Sequence, residues 1–139
     1  MPGEPHIEQI TYQLTWSIRH QVMWPDHPLD FVKIPEDPSG LHYGLFVDNQ
    51  LVSIISVFVR EDDAQFRKFA TVIEHQGKGY GGKLLAYILN ELEAQHMKRI
   101  WCNARQDKTA LYERYGLTTT DQTYVKGGID FVIMEKLLT

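Results

Sequence analysis

Residues 66 to 82 read FRKFATVIEHQGKGYGG, and this stretch decides the fold of the chain. Residues 66 to 73 predict a β-strand, and residues 76 to 82 predict a turn, because four of those seven residues are glycine. A long amphipathic helix is expected next, since apolar side chains recur on one face at the helical period. These side chains are Leu84, Leu85, Ile88 and Leu92.

A strand, a glycine-rich turn and a helix in this order predict a phosphate-binding loop. Little side chain covers the backbone of such a turn, so an anion can approach its N–H groups. The helix directs its unpaired N–H groups and the positive end of its dipole at the same place. A plain strand–helix connection would not need so many glycines, because each one costs backbone entropy.

Two well-known phosphate loops fit these residues poorly. Gly77, Gly79 and Gly82 satisfy the dinucleotide pattern G-x-G-x-x-G, but Cys102-Asn103 occupies the place where an acidic residue should hold the ribose. The P-loop pattern G-x-x-x-x-G-K-[ST] fails at its last position, because Leu84 lacks the hydroxyl that binds magnesium. The chain after Gly82 is also too short for the remaining βα units of a doubly wound sheet.

A third pattern, [R/Q]-x-x-G-x-[G/A], is met by Gln76, Gly79 and Gly81. With this pattern, the turn resembles the pyrophosphate loop of the GNAT N-acetyltransferase superfamily. Ala104-Arg105 and the sequence LYERYGL at residues 111 to 117 are similar to the late helix of that superfamily and its L-Y-E-x-x-G-F ending. The resemblance covers nearly the whole chain and is strongest from residue 71 to residue 117.

Two further segments resemble small bacterial GNAT members of the ElaA-like branch. These are residues 18 to 22, IRHQV, and the late segment that joins Gly128-Ile129 to Met134-Glu135-Lys136. Phe131 stands where ElaA-like members often have histidine.

The resemblance implies an α/β fold with flanking helices and a mixed, mostly antiparallel sheet of six or seven strands. We expect one domain that spans residues 1 to 139. Residue patterns predict helices at 11–24 and 107–114 on either side of the helix that follows the turn, and a long loop at 25–40. The predicted strands are 6–10, 43–48, 51–60, 65–73, 100–102, 124–125 and 131–138, with a type I′ turn at Asn49-Gln50.

Composition and charge exclude several classes of function. The net charge of −4 disfavours nucleic acid as a partner, because phosphate neutralisation needs a basic face. The single cysteine excludes an intramolecular disulfide framework, and no apolar run reaches the roughly 20 residues of a membrane span. No export signal is visible at the N-terminus, so we expect a cytoplasmic protein without a membrane partner. The oligomeric state stays open, a homodimer included.

The function implied by the resemblance is transfer of the acetyl group of acetyl-coenzyme A to a primary amine by direct attack. The amine would belong to a small molecule, a protein terminus or a lysine. A backbone N–H near Thr71 and Val72 would stabilise the oxyanion, and Asn103 would lie where the neighbouring strand splays away. The residues expected to bind the coenzyme are Thr71, Val72, Gln76, Gly77, Lys78, Gly79, Tyr80, Gly81, Gly82 and Asn103.

Tyr112 is the candidate catalytic residue, since it matches the family tyrosine that donates a proton to the departing thiolate. A phenol is protonated at neutral pH and can make that donation. The alternative is a helix tyrosine that only packs against the sheet. The general base is left open between Glu74, His75 and water.

Several polar or aromatic residues have two possible interpretations. The acids at 61 to 63 either attract a cationic substrate or form a solvated turn. Arg19, Trp24 and His42 either face the acceptor pocket or are structural. The histidines lack metal-ligand spacing, so no metal is expected. A non-catalytic acyl-coenzyme A sensor or interaction module is the alternative to an enzyme.

Overall fold

The computed structural model describes residues 3 to 138 and contains a seven-stranded sheet in the order β1-β2-β3-β4-β5-β7-β6. The strands are β1 (His6–Ile10), β2 (Leu41–Val47), β3 (Gln50–Arg60), β4 (Asp63–Thr71), β5 (Arg99–Arg105), β6 (Thr118–Lys126) and β7 (Ile129–Leu137). Within this sheet only β4 and β5 pair in parallel. The predicted mixed and mostly antiparallel α/β fold is confirmed.

The long helix α2 (Tyr80–Ala94) covers one face of the sheet. All four apolar residues of the predicted stripe are buried on it, together with Leu89. Burying each leucine or isoleucine stabilises the fold by roughly 1.5–3 kcal/mol, so this helix fixes the end of β4 and the turn between them. A short helix α3 (Thr109–Glu113) follows β5 and is preceded by a 3₁₀ turn, Gln106–Lys108.

Strands β4 and β5 diverge after a short shared segment. Their parallel pairing runs only from Asp63 opposite Arg99 to Gln65 opposite Trp101, whereas β5 stays paired with β7 along its whole length. A bulge interrupts the β3–β4 register beyond this point, and Lys68 within it has a φ of +57°. The second half of β4 therefore borders a V-shaped opening towards β5, as the splay predicted from the sequence requires.

The predicted N-terminal helix is present, but it is not a regular α-helix. The segment is a 3₁₀ turn (Tyr12–Thr15), one α-turn named α1 (Trp16–Ile18) and a π-helical turn (Arg19–Met23). Leu14 is 52% exposed, whereas Thr15, Ile18 and Arg19 are buried. The change of helical pitch explains the difference, because a period of 3.6 residues does not hold across 3₁₀ and π turns.

Several predicted boundaries also differ: β6 begins at Thr118 and not at residue 124, and β4 ends at Thr71 and not at residue 73. The first hairpin turns at Asp48 and Asn49, with φ of +51° and +65°, one residue before the predicted Asn49-Gln50. Aspartate and asparagine tolerate the left-handed region that a type I′ turn needs at both central positions. Helix α2 begins at Tyr80, so Gly81 and Gly82 lie inside its first turn and not before it. No helix among residues 3 to 138 is long and apolar enough to cross a membrane.

Candidate active site

The glycine-rich turn leaves open space on its outer side. Gly77 and Gly79 have φ of +79° and +84°, and an added Cβ at either position would meet no atom within 4 Å. The first helical hydrogen bond of α2 is donated by the Lys83 N–H to the Gly79 carbonyl, at 3.1 Å. The N–H groups of residues 80 to 82 therefore precede the helical ladder and remain free for an anion.

The other two glycines serve packing. A Cβ at Gly81 would come within 3.1 Å of the Thr71 hydroxyl oxygen, and a Cβ at Gly82 would overlap the Tyr115 hydroxyl. Gly81 thus lets α2 lie close to the end of β4, and Gly82 lets the chain after α3 approach α2. Their backbone N–H groups stay available to a ligand, but the absence of their side chains is explained by the fold alone.

Gln76 ties the turn back to the strand. Its Nε2 donates a hydrogen bond of 2.9 Å to the carbonyl oxygen of Thr71. The side chain is therefore engaged with the backbone at the mouth of the opening. Lys78 is exposed on the same turn, where its charge adds to the positive end of the helix dipole.

The sequence predicted a backbone N–H donor near Thr71 and Val72, at the end of β4, and the two N–H groups differ in the structure. The Val72 N–H donates to the Val52 carbonyl at 2.9 Å and is occupied. N–H groups alternate in direction along an antiparallel strand, so the Thr71 N–H points away from β3 and into the opening. The Thr71 carbonyl points the same way, since it accepts its bond from Gln76 and not from β3. Of these two N–H groups, only that of Thr71 is left as a candidate donor to the oxyanion.

Tyr112 lies on α3 and packs over the diverging strands. Its ring centroid is 5.8 Å from that of Phe66 on β4. Burial, together with the neighbouring thiol of Cys102, raises the pKa of Tyr112 above its ordinary value. Among residues 3 to 138 its hydroxyl makes no hydrogen bond. The phenol is thus a protonated donor, and none of the described residues competes for its proton.

The remaining predicted residues lie around the same opening. Tyr80 begins α2 and packs near His75, with ring centroids 5.9 Å apart. Asn103 is exposed on β5, on the face opposite to Cys102. Cys102 is buried, and burial raises the pKa of its thiol to about 12, so it is a core residue and not a nucleophile.

Arg19 and His42 are structural, and they belong to one buried hydrogen-bond network. The Arg19 guanidinium, with no exposed surface, donates to both carboxylate oxygens of Asp37 at 2.9 Å and to the Ser56 hydroxyl at 3.0 Å. His42 contacts the same Ser56 hydroxyl at 2.8 Å and the Asp37 carbonyl at 2.9 Å. The network fastens the long loop at 25–40 to β2 and β3. Trp24 instead packs edge-to-face against His27 and Phe31 of the loop.

Burial raises the pKa of the Asp37 carboxyl, but hydrogen bonds from Arg19, Trp16 and the Ile34 N–H outweigh it and leave the pKa below its usual value of 3.8. A carboxyl whose pKa falls on folding stabilises the native state at neutral pH. That contribution is lost as the pH falls below about 4, towards the lowered folded pKa.

Asp37→Ala is expected to lower the free energy of unfolding by roughly 3–5 kcal/mol at pH 7, because it leaves Arg19 buried without its partner. Asp30→Ala is the matched control, since Asp30 forms only an exposed pair with Lys33 in the same loop. Urea unfolding of both variants measures the difference, which should shrink below pH 4. Equal stabilities of the two variants would contradict the assignment.

The sequence analysis missed a group of cations beside the opening. Arg67 and Lys68 lie on the bulge of β4, and Lys126 ends β6. One signal was present: Phe66 and Phe69 enclose two charged residues, a spacing that breaks the alternation of a regular strand and indicates a bulge. No group of three metal-ligating side chains occurs within residues 3 to 138.

A splayed parallel pair beside an open glycine turn and a helix N-terminus defines the class of acyl-coenzyme A N-acyltransferases. A family model described as "Acetyltransferase (GNAT) domain" matches residues 32 to 138. The chain therefore belongs to the GNAT acetyltransferase family and is an acyltransferase.

Individual relatives agree with this membership. The uncharacterized N-acetyltransferase YitI of Bacillus subtilis is 25% identical over 142 residues, with 95% of each chain covered. The crystal structure of Escherichia coli ElaA superposes with a TM-score of 0.81 at 14% identity, over 96% of this chain and 99% of that one. A GNAT family acetyltransferase from Elizabethkingia anophelis, solved with acetyl-CoA bound, gives 0.77 at 16% identity, over 96% and 98%. These two structures are similar in fold.

Proposed function

We propose that this protein transfers the acetyl group of acetyl-coenzyme A to a primary amine, in one domain formed by residues 1 to 139. The observation that carries the proposal is the free Thr71 N–H, which faces the opening one turn away from the open glycine loop. A fixed donor at that place can stabilise the negative charge that develops on a thioester carbonyl. When bound, acetyl-coenzyme A supplies the activated acetyl group.

The residues of the loop fit the coenzyme. The free N–H groups of residues 80 to 82 and the space outside Gly77 and Gly79 can accept a pyrophosphate, and Lys78 adds a positive charge. Asn103 and the second half of β4 line the opening and suit the amide groups of the pantetheine arm. These contacts use backbone donors that are set in place by α2 and β4 before any ligand arrives.

The reaction requires two proton movements. The amine nitrogen forms a bond to the carbonyl carbon, the carbon–sulfur bond breaks, and the nitrogen releases one proton to water. Tyr112 gives its hydroxyl proton to the departing sulfur and regains one from solvent. Burial raises the pKa of Tyr112. A coenzyme A thiolate that leaves beside it would be desolvated as well, and it would therefore be a stronger base than in water.

Release of free thiol from acetyl-coenzyme A, measured with a panel of small amines and peptides, tests this proposal. We expect at least one primary amine to raise the rate well above the water background, with the acetylated amine identified by mass spectrometry. The alternative is a sensor that binds the coenzyme at the same loop without catalysis. Coenzyme binding with no thiol release for any amine would favour the sensor and overturn the proposal.

A further inference from the structure

The bulge of β4 carries a lysine, Lys68, at the point where β4 diverges from β5. Lys68 is a non-glycine residue in the left-handed region, where a side chain adds strain, and it stands where the β3–β4 register shifts. Bulges of this kind redirect a side chain near functional sites. Lys68 is half-buried, and within residues 3 to 138 it forms no salt bridge. Lys68 is thus a partly desolvated cation that has no counter-ion among the described residues.

The charges around Lys68 are mostly positive. Burial is the main cause that lowers the pKa of Lys68, and Arg67, Arg19 and Lys126 lower it further by repulsion. Asp37 acts in the opposite direction, but its two carboxylate oxygens already accept bonds from Arg19. The net field at the Lys68 amine is therefore one that attracts an anion.

Arg67 is only weakly neutralised. Its Nη1 lies 3.9 Å from a carboxylate oxygen of Glu36, which is an exposed and marginal ion pair. The guanidinium also lies 5.7 Å from the Phe58 ring. Arg67 and Lys68 are neighbours on β4, and Lys126, at the end of β6, lies near enough to Lys68 for their charges to repel.

The acids at 61 to 63, which might have attracted a cationic substrate, lie at the far end of β4, and two of them are paired. Asp62 contacts Lys98 at 3.4 Å, and Asp63 contacts Arg99 at 3.4 Å and the Trp101 indole N–H at 3.1 Å. Asp63 begins β4 and Thr71 ends it, a separation of roughly 25 Å along the strand. This acidic turn is therefore remote from the opening.

We propose that the acceptor is a small primary amine that also carries an anionic group, a carboxylate or a phosphate, bound by Lys68, Arg67 and Lys126. The inference rests on the proposed acetyl transfer. The same cations would lower the pKa of the bound amine, because they disfavour its protonated form. An uncharged, nucleophilic amine would then be available at neutral pH, with water as the final proton acceptor.

Matched acceptors test this inference. Phosphoethanolamine is compared with ethanolamine, and β-alanine with β-alaninamide, by kcat/KM for thiol release. We expect the anionic member of at least one pair to have a kcat/KM about 10–100-fold higher, as for a charge-assisted contact. The pair that shows this preference tells whether the site binds a phosphate or a carboxylate. Lys68→Gln and Lys126→Gln should each reduce that preference about 10-fold. Lys98→Gln, an exposed lysine paired with Asp62, should leave it unchanged.

The inference and the proposed function can fail separately. If ethanolamine and β-alaninamide react as well as their anionic partners or better, the anionic acceptor is excluded while acetyl transfer stands. If no amine reacts, acetyl transfer fails, and calorimetric titration of phosphoethanolamine and β-alanine in the presence of coenzyme A decides the binding site. Binding that is lost in Lys68→Gln supports the site. Absent binding, or binding that Lys68→Gln leaves unchanged, overturns it.

Discussion

Tyr112→Phe is expected to lower kcat by ~10²–10⁴-fold, the range typical for the loss of a general acid, with nearly unchanged affinity for coenzyme A. The ring would still pack 5.8 Å from Phe66, because the substitution removes only the hydroxyl. That hydroxyl has no hydrogen bond within residues 3 to 138, so its removal should cost little stability. A selective loss of turnover would thus separate proton donation from packing.

The measurement should isolate the chemical step. Single-turnover thiol release with saturating acetyl-coenzyme A avoids masking by product release. Tyr87→Phe is the matched control, since Tyr87 is 38% exposed on α2 and packs near Tyr43. A Tyr112→Phe variant with the parental single-turnover rate would assign Tyr112 to packing. The raised pKa of Tyr112 also predicts that activity is not lost through its ionisation at any pH below about 10.

The strand, turn and α2 could be predicted because their signals are local. The apolar stripe of α2 reflects a period that a regular helix keeps throughout its length, and the parallel pairing of β4 with β5 follows from the helix between them. The N-terminal segment lacks that regularity, since it passes from 3₁₀ to α to π geometry within residues 12 to 23. The sequence therefore predicted a helix there but not its changes of pitch.

The buried network around Arg19 could not be read from the sequence, because its members come from distant parts of the chain. Asp37 lies in a loop and Ser56 on β3, and only the folded sheet brings both to the guanidinium. The glycine-rich turn is a local motif and could be read from the sequence. The need for glycine at position 82 could not be read from the sequence. It depends on contact with Tyr115, which approaches only after β5 and α3 are in place.

The same limit applies to the cations beside the opening. Lys68 and Lys126 are far apart in sequence, and neither belongs to a motif. Their proximity depends on the bulge in β4 and on the pairing of β6 outside β7. The acceptor side of the site therefore required the structure, whereas the coenzyme side did not.

Gly79→Asp is expected to lower the affinity for coenzyme A by orders of magnitude. The carboxylate would lie on the open side of the loop, close to the N–H groups of residues 80 to 82 that we expect to bind an anion. Its negative charge would repel a pyrophosphate. The φ of +84° at Gly79 adds a backbone strain of about 1–2 kcal/mol for any L side chain. No atom lies within 4 Å of the added Cβ, so the fold should survive this cost.

Two further variants separate charge from strain. Gly79→Ala keeps the strain without the charge, and it should weaken coenzyme A binding far less than Gly79→Asp does. Gly127→Asp adds both a charge and a left-handed side chain, at a φ of +59° and with no atom within 4 Å, but in the β6–β7 hairpin. Calorimetric titration of coenzyme A, with circular dichroism to verify folding, should give parental affinity for Gly127→Asp. If folded Gly79→Asp binds as tightly as the parent, the pyrophosphate does not lie on this loop, and the coenzyme must enter the opening from another side.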